Sequence, residues 1–219
     1  MNIGIIDMIS KGILAEKILR KINGGDYPTS NKVDIRDVYL EMEACRNYLI
    51  QKYLIQSGDE ISSEFISVFE EVPVLKNTNR DRLYAQLPAQ LVSLNIKGAS
   101  GSHIGLRQVS GVKDEYNVFL PMNSGDAGVH YGLESSNLIG GIGYWLENDK
   151  IIFENMPAYY EGKNVMVKMI SAIQGLGEDD FVPVPAAVET ELEDMIFERM
   201  IGMKAVPEKK ITDNNPNTP

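Results

Sequence analysis

The stretch YWLENDKIIFEN, residues 144–155, decides how the middle of this chain folds. Two short runs rich in aromatic and β-branched residues flank Asn148-Asp149, residue types that accept the positive φ values of a tight turn between antiparallel strands. A hairpin here puts strands at the centre of the chain. Working outward, runs rich in Val, Ile, Phe and Tyr recur at 64–74, 83–85, 89–96, 104–110, 116–120, 128–133, 143–147, 150–155 and 165–173, separated by Gly, Asn, Asp and Pro. Short strands at this spacing predict an all-β sandwich or a barrel-like sheet, and the expectation is a central antiparallel, β-sandwich-like sheet. Within the first run, Pro73 predicts an edge or an end, because proline has no N–H for a ladder.

Both flanks of the sheet change period. Ile5, Ile6, Ile9, Ile13, Leu14, Ile18 and Leu19 recur at helical steps between residues 3 and 22, and Gly24-Gly25 ends that helix. Asp34 reads as the N-cap of a second helix running to about Gln56. Its apolar face is Ile35, Val38, Met42, Cys45, Leu49, Tyr53 and Leu54, with Arg36, Glu43, Arg46 and Lys52 on other faces. Gly58 is its stop. A third helix follows the acidic connector GLGEDDFVPVP, with Pro185 in its first turn and Val188, Leu192, Met195, Ile196 and Met200 as its stripe. The polar tail EKKITDNNPNTP is too poor in apolar residues to fold alone. The expected class is α+β: an N-terminal α-helical hairpin (1–60), the β region (61–177), a C-terminal helix with its connector (178–203) and a disordered tail (204–219).

The 219 residues carry 21 Lys and Arg against 31 Asp and Glu, a formal charge of -10. That balance opposes sequence-independent nucleic-acid binding, which is driven by cationic side chains. Residues 178–219 hold ten acids and four bases, so six of the ten excess charges lie there; a solvated helix face is the ordinary reading of them, and an acidic helix that docks on a basic neighbour is the other. The single cysteine, Cys45, excludes an internal disulfide and multi-cysteine metal centres. No run of apolar residues is long enough to span a bilayer, and charges interrupt the N-terminal run before signal-peptide length. These features predict a soluble chain.

Candidate chemistry is sparse. His103 and His130 are the only histidines, and no Walker loop, HExxH, GxSxG or EF-hand loop occurs. The glycine-rich GASGSHIG (98–105) offers backbone amides for a phosphate, with Ser100, Ser102 and His103 as hydrolase candidates. The residues after it read as a strand, whereas phosphate loops lead into a helix. NSGDAGVHYG (123–132) sets Asp126 four residues before His130, a pairing compatible with metal or acid-base chemistry only if the fold completes it. Cys45 sits among apolar helix positions, where a neutral thiol is the normal outcome. Tyr144-Trp145 and Tyr159-Tyr160 are aromatic pairs suited to packing, to an interface or to a glycan platform. The residues therefore predict no catalytic, cofactor-binding or metal site.

Three segments carry a resemblance: DIRDVYLEMEACRNYLIQKYL (34–54), YWLENDKIIFENMP (144–157) and FVPVPAAVETELEDMIFERMIG (181–202). Together the pattern resembles small virion proteins of tailed phages that infect Bacteroidetes, in particular the ring or head-to-tail connector proteins of crAss-like phages. The resemblance implies a non-enzymatic structural subunit, assembled in the host cytoplasm into a homo-oligomeric, twelve-fold ring of the virion. It would meet portal, tail and other ring proteins, contact passing DNA weakly at most, and avoid membranes. The alternatives are a tail or capsid-decoration protein, a glycan- or ligand-binding β-sandwich using Tyr144 and Trp145, and a hydrolase centred on His103 and His130.

Overall fold

A computed structural model describes residues 9–24, 33–57, 61–92, 105–123, 125 and 141–204. It is an α+β molecule with two apolar cores, one among helices and one inside a curled sheet.

The helical half contains α1 (Lys11–Ile22), α2 (Ile35–Ser57) and α3 (Ala186–Lys204). Helix α1 starts later than the apolar periodicity predicts. Ser10 accepts a hydrogen bond from the Ile13 N–H and forms an antiparallel bridge with Phe181, so the chain is still extended at that point. The earlier part of the expected helix, residues 3–8, lies outside the described residues. Asp34 caps α2, its Oδ1 accepting from the Arg36 N–H at 3.0 Å. Pro185 stands one position before α3 instead of within it, and its carbonyl accepts the Val188 N–H at 2.8 Å. The expected stripes of α2 and α3 form the core: Val38, Met42, Cys45, Leu49 and Leu54 pack with Val188, Leu192, Ile196 and Met200.

Four of the five acids of α3 face the chain's own cations. Lys17 pairs with Glu189 at 2.7 Å and Glu193 at 3.4 Å, Lys52 with Glu191 at 2.6 Å, and Lys21 with Asp194. Within the chain, the basic neighbour of this acidic helix is the α1–α2 pair. The lysines of these pairs are open to solvent, so screening keeps each contribution small.

The sheet holds β1 (Ser67–Asn77), β2 (Arg82–Gln86), β3 (Leu106–Gly111), β4 (Asp114–Val118), β5 (Leu120–Pro121), β6 (Gly143–Glu147), β7 (Lys150–Glu154) and β8 (Asn164–Met169). Its order is β4-β3-β8-β1-β2-β7-β6-β5, antiparallel throughout except for β5 beside β6. The two edge strands, β4 and β5, are consecutive in sequence and separated only by Phe119. There the backbone changes partners: the Phe119 N–H donates to the Val109 carbonyl, and the Leu120 N–H to the Ile142 carbonyl on the other side, both at 2.8 Å. One extended segment thus ends the sheet at both edges, and the sheet curls into a nearly closed barrel.

Diagonally opposed, β1 performs the same exchange. Its first part pairs with β8 and its last part with β2, with an irregular register between Phe69 and Val72 that adds local twist. Pro73 lies at this exchange, in the interior of the longest strand, contrary to the expected edge or end. Val74 directs both its N–H and its carbonyl to Lys163 and Gly162 on the β8 side. By alternation, the Pro73 nitrogen faces the β2 side, where registered pairing begins only at Val74, so the missing N–H falls at the very end of that ladder. The expected hairpin is present as β6–β7, with Asn148 at φ 57°. Of the expected strand at 89–96, residues 90–92 make a short pairing with 170–172, and 93–96 lie outside the described residues, as does the expected strand at 128–133.

Candidate functional site

No residue of the described chain stands out by chemistry, so the site is built from its most constrained polar groups and its open clefts. The most constrained group is Arg46, whose side chain has no solvent exposure. Sequence periodicity places Arg46 and Glu43 away from the apolar face of α2, yet both are buried. The connector between β8 and α3 explains this, because its carbonyls and amides run beneath α2 and need partners. Arg46 Nε donates to the Pro183 carbonyl at 3.1 Å, and one terminal nitrogen donates to the Ser171 carbonyl at 2.9 Å. Glu43 accepts the Ile173 N–H at 2.7 Å. From α1, buried Lys11 donates to the Leu176 carbonyl at 2.9 Å and the Ile173 carbonyl at 3.3 Å.

Three charged side chains from two helices therefore clamp one stretch of backbone, residues 171–183. Burial lowers the Arg46 pKa to about 10, opposed by the nearby Glu43 carboxylate. The second terminal nitrogen of Arg46 makes no hydrogen bond among the described residues. Such a clamp fixes where the connector, and with it the end of β8, lies against the helices. The only signal for it in the sequence is that positions 43 and 46 adjoin Met42, Cys45 and Leu49 on a helix.

Among the clefts on the described part of the barrel are two of several hundred cubic ångströms. One, of about 450 Å³, is lined by Lys76, Arg82, Asp81, Glu154 and Glu161 among others. Its charges meet one another: Lys76 pairs with Asp81 at 2.8 Å, Arg82 lies 3.7 Å from buried Glu154, and Arg80 at the rim makes two 2.8 Å bonds to Glu147. The other, of about 560 Å³, lies between the β3–β4 turn and residues 159–164. Tyr159 and Tyr160 stack in its wall, ring centroids 4.8 Å apart, and Lys163 Nζ sits 4.5 Å above the Tyr159 ring.

The sequence candidates fall in different places. Ser100, Ser102, His103, Asp126 and His130 lie outside the described residues. Cys45 is fully buried, and burial pushes its thiol up to about 11, the neutral core thiol expected. Tyr144 and Trp145 are buried too. Tyr144 belongs to the barrel core, and Trp145 packs on Met122 and Ile152 with the Arg82 guanidinium 5.2 Å from its ring, so neither presents an open platform. Tyr159, at 62% exposure, is the aromatic residue of these pairs that faces solvent. Among the described residues, no group of three His, Cys, Asp or Glu is placed to hold a metal ion, and no helix is long and apolar enough to cross a membrane. Compared with known proteins, the chain matches no family model and no curated protein.

Proposed function

We propose that this chain is a non-enzymatic structural subunit of a tailed-phage virion that assembles as a homo-oligomeric ring at the portal-to-tail junction. The segments that carry the resemblance to ring and connector proteins coincide with frame elements: 34–54 is most of α2, 144–157 contains the β6–β7 hairpin, and 181–202 covers α3 and its approach. The observation that carries the reading is apolar exposure on both halves. Leu40, Tyr48 and Ile55 form an outward stripe along α2, while Tyr116 at 97% exposure, Val118 and Leu120 project from the barrel segment that joins the sheet edges. Exposed apolar side chains on two separate faces suit a subunit that has a neighbour on each side.

The test is the position of the chain in intact particles. Electron microscopy with a tagged chain is expected to find about twelve copies at a single vertex, in line with cyclic assembly. Even distribution over the shell, or trimers and hexamers along the tail, would replace this reading with the capsid-decoration or tail alternative.

A further inference from the structure

The barrel cleft and the connector turn are complementary in charge and in apolar character. The cleft is lined by Val112, Lys113, Asp114, Tyr159, Tyr160 and Lys163. No carboxylate among the described residues forms an ion pair with Lys113 or Lys163, although most other lysines of the described chain have one. The walls are firmly set: the Gly162 N–H donates to Val74 and the Lys163 N–H to Tyr160, both at 2.9 Å, and Gly162 takes the positive φ of 74° that this turn requires.

The complementary surface lies in the helical half. The turn Gly177-Glu178-Asp179-Asp180 is held against the start of α1 by the Gly12 N–H donating to the Glu178 carbonyl at 2.8 Å and the Lys11 N–H donating to the Asp180 carbonyl at 2.9 Å. Asp180 also accepts the Gly177 N–H at 2.7 Å. Glu178 and Asp179 are exposed, Glu178 with one carboxylate oxygen accepting from the Tyr39 hydroxyl at 3.2 Å, and beside them Phe181 is 58% exposed. Four of the five acids of α3 are engaged by Lys17, Lys21 and Lys52, whereas this turn holds exposed acidic charge on a backbone fixed by hydrogen bonds.

We propose that the 178–181 turn of one copy seats in the Lys113/Lys163/Tyr159 cleft of the next. The Glu178 and Asp179 carboxylates meet the two ammonium groups, and Phe181 packs on Tyr159 and Val112. Because the two surfaces differ, the contact is heterologous and leaves each copy with one free turn and one free cleft, the arrangement that propagates and closes into a ring. Both partners are ordered by backbone hydrogen bonds, so little conformational entropy is lost on contact. The proposal rests on the ring reading for its setting, but it concerns a contact between purified copies.

The experiment compares the wild-type chain with two double variants, Lys113→Glu with Lys163→Glu and Glu178→Lys with Asp179→Lys, by native mass spectrometry at low salt. All four positions are exposed, and circular dichroism checks that each variant folds. Wild type is expected to form oligomers, and each variant alone to lose roughly tenfold or more in self-association because like charges now meet. Mixing the two variants is expected to restore oligomers containing equal numbers of each, since every cleft then faces a turn of opposite sign. A wild type that stays monomeric at about 100 µM, a variant that assembles as well as wild type, or a mixture that stays monomeric would each overturn the proposal. Its failure is separable from that of the ring reading. Chains found at one vertex despite an inert cleft would mean that other surfaces close the ring, and a restored mixture from a chain absent from that vertex would leave the contact standing alone.

Discussion

The helical half and the barrel half reach similar burial by opposite means. In the helical half, residues three and four apart supply the core, so each helix carries most of its own instructions; what local pattern does not specify is how the helices meet the rest of the chain. That task falls to Lys11, Glu43 and Arg46, charged groups buried on backbone carbonyls and amides of residues 171–183. In the barrel, almost every core residue depends on a strand distant in sequence. Its critical feature is the switch at Phe119, where one segment changes partners between two sheet edges. The helical half is fixed by polar bonds at its border, the barrel by an apolar residue at its seam.

That contrast can be broken by removing each device. Phe119 is buried, edge-on to Phe153 at 6.0 Å and to Tyr160 at 6.2 Å. Phe119→Ala is expected to cost about 4 kcal/mol, from lost burial and the cavity left behind. In hydrogen exchange, the amides of β3 to β6 should lose protection while those of α2 and α3 keep theirs. Equal loss in both halves would mean that the seam is not specific to the barrel.

Arg46→Ala attacks the other side. It strips donors from two buried carbonyls, those of Ser171 and Pro183, and leaves Glu43 without its nearby cation, at an expected cost of about 3 kcal/mol by chemical denaturation. Lost exchange protection should centre on residues 171–183 and spare the β6–β7 hairpin. Arg46→Met, which keeps most of the volume but none of the donors, should recover little. Full recovery by methionine would show that Arg46 acts by filling space and not by bonding the connector.

The sequence made the helices and the β6–β7 hairpin legible because their signals are local: apolar steps of three and four, Asp34 as a cap, and Asn148-Asp149 at a turn. It left a sandwich and a barrel-like sheet both open and hid the switch that closes the barrel, since nothing in residues 114–121 distinguishes one continuous strand from two short strands with different neighbours. Pro73 misled for the same reason, because the rule that confines proline to edges assumes a strand with one partner along its length. Arg46 was illegible because the carbonyls that recruit it lie more than a hundred residues away. The aromatic pairs were visible as pairs, but only three-dimensional packing separates buried Tyr144 and Trp145 from exposed Tyr159.

Alkaline titration sharpens the comparison, because each core fully buries one neutral acid whose ionisation that burial suppresses. Cys45, in the helical core, is pushed up to about 11 from 9.0, and Tyr144, in the barrel core, to about 12 from 10.0. A folded pKa above the unfolded one means that, between the two values, the unfolded chain has released a proton that the native chain retains. Each group's contribution is therefore intact below its unfolded pKa and is lost as pH climbs to its folded pKa, at up to about 1.4 kcal/mol per pH unit. The helical core is the first to be affected, from pH 9 to 11, and the barrel follows from pH 10 to 12. Denaturant midpoints of Cys45→Ala should accordingly fall less steeply than wild type between pH 9 and 10, whereas Tyr144→Phe should match wild type there and diverge only above pH 10. Parallel slopes for wild type and Cys45→Ala across the lower window would mean that the thiol is not held neutral by the helical core.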